Sequence, residues 1–176
     1  MIRAKKVGVE EIGWLGWQEP VGLAEMAQPL VADGVGLVAE GKVKGGDARA
    51  EVVRRYLRKY NSPLLPYAKM IVDLSDKYGF DYYWMVAIGQ QESNMCKKIP
   101  EDSHNCWGYG IHSQGTLRFE SYELALSSYA QYLKESYFDK GLNTAELIMK
   151  KYCPHSDGSW AFGVNQFIEE LKNGGF

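Results

Sequence analysis

The sequence predicts a mainly α-helical domain, and three observations support this fold class. Apolar residues recur at the spacing of one helix face in several segments from residue 47 onward. Residues that cap or end helices stand between these segments. The chain of 176 residues has room for one domain with a real core and little room for a second. We therefore predict one domain over residues 47–176, after a glycine-rich N-terminal extension, residues 1–46, that has no clear period.

The first three predicted helices lead to a glutamate. Asp47 is placed to cap a helix, and the apolar side of that helix consists of Val52, Val53, Tyr56, Leu57 and Tyr60. After a loop with two prolines, a second helix is predicted over residues 67–78, with Gly79 ending it. Asp81 is predicted to cap the third helix, which carries the sequence YYWMVAIGQQES and ends near Glu92.

The segment that follows the third helix has no helical period. Residues 95–118 are polar and contain Pro100 and several glycines. This composition predicts an irregular loop or a small β excursion, a kind of segment that often carries function.

Capping residues mark the later helices. Ser121 is predicted to cap a helix that has Glu123 in its first turn, where the helix dipole favours an acid. Asn143 and Glu146 fit a capping box for a helix that ends near Tyr152.

A last helix is predicted from Ser159 to the glycines at 174–175. Its apolar stripe consists of Trp160, Val164, Phe167, Ile168 and Leu171.

Composition excludes several functional classes. The net charge is −2, with 20 basic and 22 acidic residues, so the basic surface expected of a nucleic-acid-binding protein is missing. No apolar stretch is long enough to cross a bilayer, and no signal peptide is visible. No cofactor is predicted. The three cysteines lack zinc-site spacing, and a metal site formed by His104, Cys106 and His112 is the weaker alternative.

Glu92 is the candidate catalytic residue, because it lies near the end of an apolar helix and faces the same region as Trp84 and Ile88. Such a carboxyl group should be partly desolvated, which disfavours its charged form and raises its pKa. A general acid needs this environment to hold its proton near neutral pH. The alternative is an ordinary solvated residue at a helix end.

Three segments in fixed order, AIGQQESN, SHNCWGYGIHS and FESYELAL, resemble the lysozyme-like superfamily. They are most similar to bacterial mannosyl-glycoprotein endo-β-N-acetylglucosaminidase-like (glucosaminidase) domains. In that family a helix ends in a Glu-Ser pair, a loop follows, and a Phe-x-x-Tyr or Phe-x-x-Trp stretch opens another helix. The matching positions are Glu92, Ser93, Asn105, Trp107, Gly108, Gly110, Ile111, Phe119 and Tyr122.

This resemblance implies a lysozyme-like fold and cleavage of β-1,4 bonds in a glycan that contains N-acetylglucosamine, above all peptidoglycan. Glu92 would be the general acid, largely buried at the floor of a groove. The residues expected to bind substrate are Ser93, Asn105, Trp107, Tyr109, Gly110, His112 and Tyr152. Because a fold does not imply a function, an inactive module that binds glycan or a cell-envelope partner is the alternative.

The sequence departs from the two-carboxylate pattern of many glycosidases. The available second acids, none of them in a recognisable motif, are Glu101, Asp102, Glu120 and Asp157. Lytic transglycosylases of the same superfamily work with a single glutamate. Their loop usually carries Gln after Gly-Leu-Met, whereas Ser113 follows Gly-Ile-His here. Hydrolysis and intramolecular transfer therefore both remain open.

Cys96 and Cys106 bracket the loop between the predicted acid and the Trp-Gly segment. A disulfide between them would hold the loop against the helix end and would imply an oxidising, extracytoplasmic location. Two free buried thiols are the alternative. Cys153 has no partner and is expected to be a small buried residue.

The aromatic residues divide into two predicted groups. Trp107 and Tyr109 are flanked by Gly108 and Gly110 and are expected to line the cleft, because glycine lets the backbone approach a ligand closely. Trp160 lies at helical spacing from Val164 and is expected in the core.

Overall fold

The computed structural model describes residues 45–112 and 115–176, and it describes side chains for residues 48–111 and 115–176. The predicted extension lies outside the described residues, apart from the two glycines that open the first helix. The α-helices of the described part are α1 (Gly45–Lys59), α2 (Ala68–Tyr78), α3 (Tyr83–Ser93), α4 (Tyr122–Ser136), α5 (Ala145–Tyr152) and α6 (Ser159–Asn173). The mainly α-helical fold class is therefore confirmed.

Helix α3 forms the centre of the domain. Every residue from Trp84 to Gln90 is buried, which requires a helix that is apolar nearly all round. Helix α6 packs along α3 and also against α5, while α2 packs against both α1 and α4. The stripe predicted for α6 faces the core, with Trp160, Val164, Ile168 and Leu171 buried and Phe167 half-buried.

Several helix ends follow the predicted signals. Helix α2 ends at Gly79, which adopts the left-handed conformation with φ 72°. The side chain of Ser121 accepts a hydrogen bond from the backbone N–H of Leu124 and caps α4. Helix α5 ends at Tyr152, and α6 begins at Ser159.

Three predicted caps are wrong. Helix α1 already begins at Gly45, so Asp47 lies within it. The Asp81 carboxylate does not cap α3 but accepts a hydrogen bond of 2.6 Å from the Tyr83 hydroxyl. Thr144 rather than Asn143 caps α5, accepting from the backbone N–H of Leu147. At α5 two neighbouring residues of similar capping ability compete, whereas α3 begins after Tyr82 without a side-chain cap.

The segment between α3 and α4 contains the small β excursion that the sequence predicts. Strand β1 (Ile111–His112) pairs antiparallel with β2 (Gly115–Thr116), with Ile111 opposite Thr116. The rest of the segment is irregular. Its two arms are joined where the Phe119 N–H donates to the Ser103 carbonyl at 3.0 Å.

Among the helices in the described ranges, none combines the length and the apolar character needed to span a membrane.

Candidate active site

Glu92 stands one residue before the end of α3, and the chain turns sharply directly after it. Asn94, Met95 and Cys96 are three successive residues with positive φ, at 52°, 53° and 67°. Left-handed backbone costs roughly 1–2 kcal/mol at a residue with a side chain, so such a run persists only where other contacts hold it.

A disulfide and a serine hold this turn. Cys96 and Cys106 are bonded with their Cα atoms 4.6 Å apart, which confirms the predicted pairing. The Ser93 hydroxyl accepts from the Cys96 N–H at 2.8 Å and lies 2.8 Å from the Cys106 carbonyl, to which it can donate. The residue after Glu92 therefore fastens the helix end to the far side of the loop.

The two oxygens of the Glu92 carboxyl group have different neighbours. Oε1 accepts a hydrogen bond of 2.6 Å from the indole Nε1 of Trp160. Oε2 faces Gly108, where an added Cβ would lie 3.3 Å from it. Desolvation raises the pKa of Glu92, and the hydrogen bond from Trp160 partly opposes that increase because it stabilises the charged form.

The expectation that Glu92 is largely buried is wrong, because the residue is exposed. Its carboxyl group is nevertheless surrounded by enough protein for desolvation to be the main cause of its raised pKa. Protein therefore surrounds part of the carboxyl group, while the residue as a whole is in contact with solvent. A substrate could reach such a carboxyl group without the domain opening.

Two tyrosine hydroxyls lie close enough to Glu92 for its charge to affect them. Burial is the main cause that raises the pKa of Tyr129 and Tyr152 well above the usual value, and the Glu92 charge adds to it. The two hydroxyls are 3.3 Å apart, and that of Tyr152 donates to the Trp107 carbonyl. The Tyr152 ring stacks on Trp160 with ring centres 5.2 Å apart. Glu92 thus has neutral, aromatic neighbours.

No charged side chain of the described residues shifts the pKa of Glu92. The candidate second acids, all of them exposed, are Glu101, Asp102, Glu120 and Asp157. Asp157 accepts from the Ser159 N–H at 3.1 Å, and hydrogen bonding lowers its pKa. The described part of the site therefore contains a single carboxylate.

Trp107 does not line the cleft as expected. Only 1% of its surface is exposed, and its ring stacks on Tyr129 with ring centres 4.4 Å apart. Its indole N–H donates to the Met85 carbonyl of α3 at 2.9 Å. Trp107 is a core residue that anchors the loop to the helix carrying Glu92.

Two other predicted substrate contacts, Ser93 and Asn105, are also buried. The Asn105 amide donates to the carbonyls of Tyr109 and Leu117, at 2.6 and 3.0 Å. Ser93 bonds backbone groups on both sides of the turn, as described above. Because their polar atoms are already paired with the protein, these residues position the loop rather than offering groups to a ligand.

The remaining predicted contacts lie on the outer part of the loop. Tyr109 is half-buried and stacks on Tyr132 with ring centres 4.2 Å apart. Gly110 is exposed and has φ 64°, and an added Cβ would lie 3.0 Å from Leu117 Cβ. His112 belongs to β1, but its side chain is outside the described residues.

The alternative of a metal site does not hold in the described structure. Cys106 is engaged in the disulfide, and His104 Nδ1 lies 2.7 Å from the Phe119 carbonyl. Within residues 48–111 and 115–176, no group of three or more His, Cys, Asp or Glu side chains is arranged to hold a metal ion. Cys153 is a free thiol and is half-buried.

Sequence reasoning missed two residues of the site, Tyr129 and the polar end of Trp160. Both lie on helices distant in sequence from Glu92, and their helical spacing indicates only that they face the core. The available signal was that a buried tryptophan or tyrosine usually needs a hydrogen-bond partner. A carboxylate at the end of a neighbouring buried helix is one such partner.

No protein-family model matches the chain, and no curated protein matches it. The resemblance to glucosaminidase domains therefore stays a prediction from the sequence.

Proposed function

We propose that this domain is a glycoside-cleaving enzyme that acts on β-1,4 bonds of an N-acetylglucosamine-containing glycan, with peptidoglycan as the substrate. Glu92 is its general acid. The observation that carries the proposal is the state of this carboxyl group, which is reachable from solvent, has a pKa raised by desolvation, and is oriented by a hydrogen bond from Trp160. Desolvation favours the protonated form of such a carboxyl group, and this form can donate its proton to a leaving oxygen.

In the proposed reaction, Glu92 protonates the glycosidic oxygen as its bond to the sugar carbon breaks. An oxocarbenium-like centre develops on that sugar and needs a nucleophile. Since the described residues place no second carboxylate near Glu92, we assign this role to the 2-acetamido group or a hydroxyl of the substrate, or to a water molecule. Capture by a substrate hydroxyl gives an anhydro end, as in lytic transglycosylases, whereas water gives a reducing end.

The same proposal places the protein outside the cytoplasm. Disulfides form and persist mainly in oxidising compartments, and the Cys96–Cys106 bond closes the loop beside Glu92. Peptidoglycan is found in the same compartment. The disulfide supports this location.

An inactive module that binds glycan is the second candidate function. The observation that favours it is again the single carboxylate, because loss of a second acid is one way in which a glycosidase scaffold loses catalysis. The exposed carboxyl group would then form hydrogen bonds to sugar hydroxyls instead of transferring a proton.

Turbidity loss of purified cell walls distinguishes the two candidates. Glu92→Gln keeps the shape of the side chain but cannot donate the proton, so we expect cleavage to fall by roughly 10² or more. Glu51→Gln, the same change on the exposed face of α1, serves as the control and should cleave like the wild type.

Two results would contradict the proposed enzymatic activity. One is equal cleavage by Glu92→Gln and the wild type, which would remove the acid role. The other is binding of cell walls by both proteins with cleavage by neither, which would support the inactive module. If cleavage occurs, mass spectrometry of the products separates anhydro ends from reducing ends.

A further inference from the structure

Trp160 contacts only one of the two oxygens of Glu92. Its indole N–H donates to Oε1 at 2.6 Å, while Oε2 faces the backbone of Gly108. The carboxyl group is therefore asymmetric before any substrate arrives. This asymmetry bears on where the proton of a protonated Glu92 is held.

An indole N–H can donate a hydrogen bond but cannot accept one. In a protonated carboxyl group the carbonyl oxygen is a better acceptor than the hydroxyl oxygen. The arrangement with the lower energy therefore has the carbonyl at Oε1, against Trp160, and the hydroxyl at Oε2. The proton is then held on the oxygen that faces Gly108.

We propose that Trp160 is a positioning residue that holds the transferable proton of Glu92 on Oε2, so that the glycosidic oxygen is protonated from the Gly108 side. This inference rests on the proposed general-acid role of Glu92. It assigns to Trp160 an action on the carboxyl group and no contact with the substrate.

The indole is held firmly enough for this role. Trp160 is 5% exposed and stacks on Tyr152, whose hydroxyl donates to the Trp107 carbonyl. The indole N–H of Trp107 in turn donates to the Met85 carbonyl of α3. A series of contacts thus connects the indole of α6 back to the helix that carries Glu92.

The Gly108 side of Glu92 is also the side with room. Gly108 is exposed, and an added Cβ there would stand 3.3 Å from Oε2, closer than most real Cβ contacts. A glycine at this position leaves space beside the oxygen that would carry the proton. The titratable groups that face Glu92 are Tyr129 from α4 and Tyr152 from α5, and both phenols stay neutral at the pH of such a reaction.

Trp160→Phe tests the proposal, because it removes the N–H and keeps an aromatic ring. The N–H stabilises the charged carboxylate, so its loss should raise the pKa of Glu92, measured by NMR titration of labelled glutamate. The alkaline limb of the cleavage rate should move to higher pH by the same amount. Because the carboxyl group is then no longer oriented, kcat should fall about tenfold or more, which corresponds to the loss of one hydrogen bond to a charged group. KM should change little.

Trp84→Phe is the matched control. Trp84 is a buried tryptophan of α3, 6% exposed, and it packs on Phe138 rather than on Glu92. The Trp84→Phe variant should be less stable than the wild type, but the pKa of Glu92 and the pH profile of cleavage should stay unchanged. If folded Trp160→Phe has the same Glu92 pKa and the same alkaline limb as the wild type, Trp160 is only a core residue and the proposal fails.

Two further measurements, which do not need the Trp160→Phe variant, test where the proton of Glu92 is held. The indole Hε1 resonance of Trp160 should titrate with the pKa of Glu92 and should not titrate in Glu92→Gln. The infrared C=O stretch of protonated Glu92 should lie at the low frequency of a hydrogen-bonded carbonyl. A stretch at the frequency of a free carbonyl would overturn the proposal. Neither measurement needs cleavage. A protein that cuts no cell wall would refute the proposed function, and these two measurements would still test the position of the proton.

Discussion

Glu92 and Trp160, 68 residues apart in the chain, meet through a hydrogen bond of 2.6 Å between carboxylate and indole. The bond joins the last turn of α3 to the first turn of α6. Since α3 and α6 pack along each other, the carboxyl group is held by the same interface that forms much of the core. The orientation of the proposed acid therefore depends on the packing of α3 against α6.

This placement of Glu92 should reduce stability at neutral pH. A pKa that is raised in the folded state means that ionising Glu92 is harder in the folded protein than in the unfolded one. Its contribution to stability is complete below the ordinary pKa of glutamate and is lost as pH rises through the folded-state value. Glu92→Gln should therefore unfold at a higher temperature than the wild type at pH 7, and the difference should vanish in acid.

Glu146→Gln provides the opposite control for that measurement. Hydrogen bonds, first from its own backbone and then from Asn165, lower the pKa of Glu146 in the first turn of α5. Its stabilising contribution is present above the ordinary glutamate pKa and is lost as pH falls through the folded-state value. Glu146→Gln should therefore be less stable than the wild type at pH 7 and similar to it in acid. If both variants respond to pH in the same direction, the assignment of Glu92 as a desolvated carboxyl group is wrong.

Gly108→Ala should impair cleavage more than its effect on stability would suggest. Gly108 has φ +64°, and its Cβ would lie 3.3 Å from Glu92 Oε2. Gly79, with φ +72° at the end of α2, has nothing within 4 Å of an added Cβ. Both alanine variants bear a left-handed backbone cost of about 1 kcal/mol.

Comparing cleavage at equal fractions of folded protein isolates the effect at the site. We expect Gly108→Ala to lose activity and Gly79→Ala to keep it. Equal activity of the two variants would show that the space beside Oε2 is not used by the substrate.

Features of this site are predicted well from the sequence when the residues that form them are close together in the chain. The pairing of Cys96 with Cys106 follows from local features, because both residues belong to one loop, and the raised pKa of Glu92 is expected from its place at the end of an apolar helix. Trp107 shows the opposite case. The neighbouring Gly108 indicates a cleft, but the Trp107 ring is buried against Tyr129 of α4, and no local pattern indicates that contact.

The predicted cap of α5 fails for a related physical reason. Asn143 and Thr144 are both good capping residues, and only the path of the preceding loop selects Thr144. By contrast, the stripe of α6 is predicted correctly, since four of its five apolar residues at helical spacing are buried and Phe167 is half-buried. Patterns that many residues share are thus predicted more securely than the choice between two neighbours.

Ser93→Ala should destabilise the domain and weaken cleavage together. The substitution leaves the buried Cys96 N–H without its acceptor, which costs about 1–3 kcal/mol. Ser75→Ala in α2 is the control, because the Ser75 hydroxyl donates to the Ile71 carbonyl of its own helix and fastens no loop. Urea unfolding of both variants, alongside cell-wall cleavage, separates a general loss of packing from release of the turn after Glu92. Cleavage by Ser93→Ala at the wild-type rate would show that this turn does not position the acid.

Removing the disulfide tests the same turn from its other side. Replacing Cys96 and Cys106 by serine should reduce the free energy of unfolding by roughly 2–3 kcal/mol, the usual effect of closing a short loop. Asn94, Met95 and Cys96 all have left-handed backbone, so without the bond we expect this turn to relax toward ordinary conformations. Glu92, two residues before Asn94, should then lose its contact with Trp160. Its pKa should shift, and the Trp160 Hε1 resonance should stop reporting the titration of Glu92.

Cys153→Ser is the control for the disulfide variant, because Cys153 is a free thiol and its replacement should leave both signals unchanged. A double-serine variant that keeps the wild-type titration of Trp160 Hε1 while losing stability would show that the disulfide supports the fold but not the geometry of the acid.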